Sequence, residues 1–143
     1  MRQPVTPPGP WPHGETRHVE LRIPAEPEWV GVARLAAAGI ASRLDFPIED
    51  LEDLKLAVAE ACNCCIQNGG DDDLHVGCEI HENRIAITVE RSGAPSAAQR
   101  SGSGDEVGLG GLGVFIIRAL MDEVAYASDA SGTRLTLIKR LGK

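Results

Sequence analysis

Aromatic side chains are scarce in this sequence: two Trp, two Phe and one Tyr among 143 residues. A core built on stacked rings is excluded, so the interior must be aliphatic. Basic residues are also in deficit, 14 against 21 acidic ones, for a formal net charge of −7. Direct nucleic-acid binding needs a basic surface, so that class of partner is excluded. Long apolar runs are missing as well, and nothing approaches the roughly 18–20 residues that span a membrane. The N-terminus lacks the basic-then-apolar pattern of a secretory leader. A cytoplasmic protein with no membrane partner is the expectation.

The four cysteines are Cys62, Cys64, Cys65 and Cys78. Cys62 and Cys65 make a C-x-x-C pair, but it falls inside an expected helix rather than at a helix N-terminus, where the dipole would activate a thiol. No second pair or histidine doublet completes a zinc site, so no metal ligand set is read and the thiols are expected to be buried and free. Asp71-Asp72-Asp73 reads as a solvated turn, because the alternating ligands and closing glutamate of a calcium loop are absent.

Glycine is plentiful, with 16 residues, and it is concentrated where it matters. The stretch Gly108-Leu109-Gly110-Gly111-Leu112-Gly113 runs straight into an apolar helix, Val114 to Leu120, and then a strand. Unshielded backbone N–H groups in front of a helix N-terminus make an anion site, most often for phosphate, although an ordinary turn before a core helix has the same local pattern.

Taken in order, residues 1–15 hold five of the nine prolines and read as a disordered Pro-rich tail. A single domain is expected over 16–143. His18 to Ile23 alternates as a strand with Val19, Leu21 and Ile23 on one face. A helix follows over 28–44, its apolar stripe made of Val30, Val32, Ala33, Leu35, Ala36, Ile40 and Leu44. A second helix opens near Ile48 with acidic residues in its first turns, carries the core stripe Leu51, Leu54, Val58, Ala61 and Cys65, and stops at Asn68-Gly69-Gly70. Two hairpins complete the pattern, 74–80 with 84–90 and 124–128 with 133–140, separated by a loop over 92–107 and the glycine-led helix. The order β-α-α-β-β-loop-α-β-β implies an α+β fold: a two-layer sandwich with a mixed, mostly antiparallel sheet and helices on one face.

The run LKLAVAEAC, the first hairpin, GGLGVFIIRALMDEV and SGTRLTLIKRL together resemble the GHKL (Bergerat-fold) ATPase superfamily. Within it, they are most similar to the anti-sigma factor serine kinases. The resemblance covers residues 16–141 in unbroken order and implies ATP and magnesium as cofactors. It implies a sigma factor and a STAS-type anti-anti-sigma protein as partners, and a homodimer as the working form. It makes Glu60 the catalytic base, and it places nucleotide contacts at Gly93, Gly108, Gly110, Gly111, Leu112, Gly113 and Thr133. Two positions depart from the family pattern. Cys64 stands where the magnesium-binding asparagine is expected, and Asn63, one residue earlier and about 100° around the helix, is the candidate substitute. Arg91 stands where an aspartate would accept a proton from the adenine amino group, and arginine has only donors. Glu90 is adjacent but should face the other side of the sheet. Two functions follow: an anti-sigma factor that sequesters its partner with a degenerate nucleotide pocket, or an active serine/threonine kinase. A sensor-kinase fragment fits less well, for want of a phosphoacceptor-histidine helix.

Overall fold

A computed structural model describes residues 16–93 and 112–142. The expectations for residues 1–15, and for Gly108, Gly110 and Gly111, fall outside the described residues.

Five strands form one sheet: β1 (Arg17–Ile23), β2 (Leu74–Ile80), β3 (Arg84–Ser92), β4 (Glu123–Asp129) and β5 (Gly132–Arg140), in the spatial order β1-β2-β3-β5-β4. All four pairings are antiparallel. The expected parallel component has a simple fate. The crossover from β3 to β4 leaves those two strands running the same way, but β5 folds back between them, so the parallel pair never shares a ladder.

Three α-helices are described: α1 (Val30–Ala41), entered through a short 3-10 turn at Pro27–Trp29, α2 (Ile48–Asn68) and α3 (Leu112–Leu120). α2 carries Glu49 and Asp50 in its first turn, where negative charge offsets the dipole. It ends at Gly69, whose φ of 85° only glycine adopts cheaply.

The core lies between the helices and one face of the sheet. Leu74, Val76, Cys78 and Ile80 of β2, Ile85, Ile87 and Val89 of β3, and Leu135 and Leu137 of β5 supply the sheet side, all buried. The helices contribute Ala33, Ala37 and Ala41 of α1, Leu54, Ala57, Val58, Ala61, Cys62 and Cys65 of α2, and Ile117 of α3. An aliphatic interior is thus what the chain builds. Val32 and Leu35 of α1 depart from the expected stripe: they face solvent at 42% and 65% exposure. The small residues Ala33 and Ala37 carry the contact instead, which lets α1 pack closely on α2.

All four cysteines are free and buried. Burial pushes the thiols of Cys64 and Cys78 up to about 11 and that of Cys62 to about 12, with Cys65 higher still. These are neutral at physiological pH. Among the described residues no group of three or more His, Cys, Asp or Glu could hold a metal ion, and no helix is long and apolar enough to cross a membrane.

Candidate functional site

The site lies where the end of α2, the start of α3 and the ends of β3 and β5 meet. A 3.6-residue helix puts positions four apart on one face, and on α2 that face carries Glu60, Cys64 and Asn68.

Glu60 is half-buried beside the first turn of α3: a β-carbon built on Gly113 would lie 3.4 Å from Glu60 Oε1. Glu60 has no hydrogen-bond or ion-pair partner among the described residues. Leu112, the first residue of α3, is 70% exposed. One turn along, Cys64 is 3% exposed. Desolvation is the main cause of its raised pKa, opposed by a hydrogen bond with Tyr126 and reinforced by the charge of Glu60. Asn63 is half-buried, and its amide has no hydrogen-bond partner among the described residues.

Asn68 is 1% exposed. Its Nδ2 lies within donating distance of Tyr126 Oη (3.0 Å), Thr133 Oγ1 (3.2 Å) and Ser128 Oγ (3.5 Å). Two protons serve three acceptors, and the set closes through a hydrogen bond of 3.0 Å between Ser128 and Thr133. Thr133 is 2% exposed. The Tyr126 hydroxyl is held above its usual pKa by desolvation, with the bond from Asn68 opposing.

Arg91 pairs in register with Thr133, but its guanidinium reaches the other way. Nε donates to Asp72 O at 2.8 Å, and Nη1 points to Ile66 O at 3.4 Å. The side chain therefore ties β3 to the last turn of α2 and the acidic turn behind it. That turn is only partly solvated, because Arg22 bridges Asp72 and Asp73 at 3.5 and 3.2 Å. Glu90 faces the open side of the sheet, as strand alternation requires, and pairs there with Arg134 at 3.0 Å. Gly93 has φ +104°, and a β-carbon there would stand 1.8 Å from Asp71 Oδ1. Its N–H donates to Ser131 O at 3.0 Å.

The described residues expected at the site thus fall into two groups. Glu60, Leu112 and Gly113 gather where α2 meets α3, while Thr133 and Gly93 lie at the strand ends and are engaged by Asn68 and by Ser131. Asn68 and Tyr126 went unread as site residues. Asn68 looked like a helix stop, yet its position eight residues after Glu60 and four after Cys64 was the available signal. Tyr126, the chain's one tyrosine, sits mid-strand, where only the register of β4 against β5 brings it near α2.

Comparison with known proteins places this geometry. The histidine kinase-like ATPase domain family matches residues 23–139. A serine-protein kinase RsbW of Bacillus velezensis is 35% identical over 138 residues, covering 87% of this chain and 86% of its own. The serine-protein kinase RsbW of Halalkalibacterium halodurans is 38% identical over 135 residues, covering 86% and 83%. Among solved structures, the RsbU and RsbW domains of a Mycobacterium tuberculosis protein superpose with a TM-score of 0.67 at 17% identity, over 87% of this chain. That likeness is one of fold, and this chain spans 32% of that longer one. The chain belongs to the histidine kinase-like ATPase domain family and, within it, stands with the RsbW serine-protein kinases.

Proposed function

We propose that this protein is an anti-sigma regulatory factor that sequesters an RNA polymerase sigma factor, with a nucleotide pocket that no longer performs the family's chemistry. In this reading it works in the cytoplasm as a homodimer, and a STAS-type anti-anti-sigma protein releases the sigma factor. Sequestration needs a folded surface and no catalytic constellation.

The observation that carries the reading is Cys64. Magnesium demands hard oxygen ligands, and the group at this position is a neutral thiol, 3% exposed and engaged with Tyr126. Arg91 adds to it. A guanidinium cannot accept a proton from an adenine amino group, and this one is committed to Asp72 O and Ile66 O. ATP with magnesium therefore does not fit the described residues at either its metal or its base end. Asn63, whose amide has no partner among the described residues, is the remaining candidate for a replacement contact.

The second reading is an active serine/threonine kinase, and Glu60 favours it. A half-buried carboxylate beside the first turn of α3, with no partner among the described residues, would serve as base for a partner's serine hydroxyl. The two separate in one pair of assays. Calorimetry with Mg-ATP and phosphate transfer to a STAS-type substrate should both be silent for the sequestering protein. Saturable binding with phosphorylation establishes the kinase instead.

A further inference from the structure

The chain has three asparagines, Asn63, Asn68 and Asn83, followed by Cys64, Gly69 and Arg84. Only Asn68 precedes a residue with no β-carbon. The main-chain nitrogen after an asparagine can attack the side-chain carbonyl carbon, a reaction that makes asparagine thermolabile. A β-carbon on the following residue obstructs the approach, and glycine has none. In an unfolded chain the Asn68–Gly69 pair is therefore the reactive one.

In the fold both reacting groups are held. Asn68 is the last residue of α2 and 1% exposed. Its Nδ2, the group that would leave, lies within donating distance of Tyr126 Oη, Thr133 Oγ1 and Ser128 Oγ at 3.0, 3.2 and 3.5 Å. The Gly69 nitrogen, the group that would attack, donates its proton to Ile66 O at 3.2 Å. The turn beyond is seated as well. A β-carbon on Gly70 would stand 2.7 Å from Ser92 O, and the Asp71 N–H donates to that same oxygen at 3.3 Å.

We propose that Asn68–Gly69 is a deamidation site that the fold keeps locked, so that the hydrogen bonds around Asn68 guard a covalent bond as well as hold the end of α2. When that end opens locally, Gly69 N bonds to Asn68 Cγ and the Cγ–Nδ2 bond breaks. Nδ2 leaves as ammonia with the proton from Gly69 N, and a five-membered imide remains. Water then opens the imide. Attack at Cγ leaves aspartate, and attack at the main-chain carbonyl carbon of residue 68 leaves isoaspartate. Neither product restores the native contacts. An ionised carboxylate has no proton to give the three hydroxyls, and it brings a charge into a position 1% exposed. Isoaspartate also routes the main chain through the side chain, so the last turn of α2 cannot close as before. A transient opening becomes a permanent change beside Thr133.

The test incubates the full chain at mildly alkaline pH, folded and in urea, and follows the peptide spanning Asn68 by mass spectrometry. Isoaspartate methyltransferase labelling gives a second readout. In urea Asn68 should deamidate faster than Asn63 and Asn83. In the folded wild type it should react at least about tenfold more slowly than in urea, because only the opened fraction is reactive. Variants then separate the lock from overall stability. Thr133→Val with Ser128→Ala leaves Nδ2 a single hydroxyl and should raise the folded-state rate several-fold, with the rate in urea unchanged. Lys139→Ala weakens the other end of α2 and should raise it far less. Equal wild-type rates in the fold and in urea overturn the proposal, and that comparison needs no variant. So does an Asn68 that reacts no faster in urea than Asn63 and Asn83. Acceleration by Lys139→Ala that matches the double variant also overturns it, since protection would then belong to the fold as a whole.

Discussion

The two ends of α2 each bury a polar side chain in an aliphatic core, and they do so for different purposes. At the N-terminal end, Lys139 of β5 is 4% exposed. Its Nζ donates to Leu120 O, the last residue of α3, at 2.6 Å and stands 3.7 and 3.9 Å from Asp53 and Asp50. One ammonium thus closes the C-terminus of α3, where the dipole favours a cation, and ties it to the acidic start of α2. At the C-terminal end, Asn68 is 1% exposed and holds three hydroxyls with no charge at all. The first arrangement is a clamp that the fold needs. The second lies one turn beyond Cys64 and next to Thr133, and its groups bond to one another. Buried polarity alone therefore does not mark a site. What distinguishes the two ends is charge: one holds an ammonium between a carbonyl and two carboxylates, the other only neutral groups.

The clamp should break hardest. Lys139→Ala leaves Leu120 O and the nearby carboxylates without their cation and should cost about 3 kcal/mol, read from urea unfolding. Lys139→Met keeps the volume and should recover part of that loss. At the other end, Asn68→Ala should cost about 2 kcal/mol, because Ser128 and Thr133 keep their mutual bond. Equal losses at the two ends would erase the distinction.

Alkaline pH sharpens the contrast from another side. The four thiols all have raised folded-state pKa values, about 11 for Cys64 and Cys78. Folding favours their protonated form, so their contribution is complete below about pH 9 and is lost as pH climbs through the folded values. The unfolding free energy should fall by up to about 1.4 kcal/mol per pH unit for each thiol across that window. Cys78→Ala should make the fall shallower in denaturant titrations at pH 8–11. The smallest effect belongs to the surface. Arg22→Ala removes the bridge to Asp72 and Asp73, a pair more than a third exposed on the arginine side, and should shift stability by less than about 0.5 kcal/mol.

Much of this fold was legible because period and punctuation agreed. The alternation of Leu74 to Ile80 and Arg84 to Glu90 mapped directly onto β2 and β3, and Asn68-Gly69 ended α2 as its turn chemistry demanded. What escaped was non-local. No pattern along the chain says that β5 inserts between β3 and β4. Nor does one say that Lys139 turns inward to Leu120, or that the long Arg91 side chain reaches back to Ile66. At the site, Cys64 and Arg91 could be picked out as departures from the family's residue types. Their commitments to Tyr126 and to Asp72 O needed the fold. Val32 and Leu35 were misplaced for a related reason: a helix this rich in alanine has two apolar faces, and only packing decides which is covered.

The central claim is that the family's platform persists here without its nucleotide chemistry, and isothermal titration of Mg-ATP into the intact protein tests it most directly. The account predicts no saturable heat up to about 1 mM ligand for the wild type, and the appearance of binding in the double variant Cys64→Asn with Arg91→Asp. Saturable micromolar binding by the wild type would contradict it.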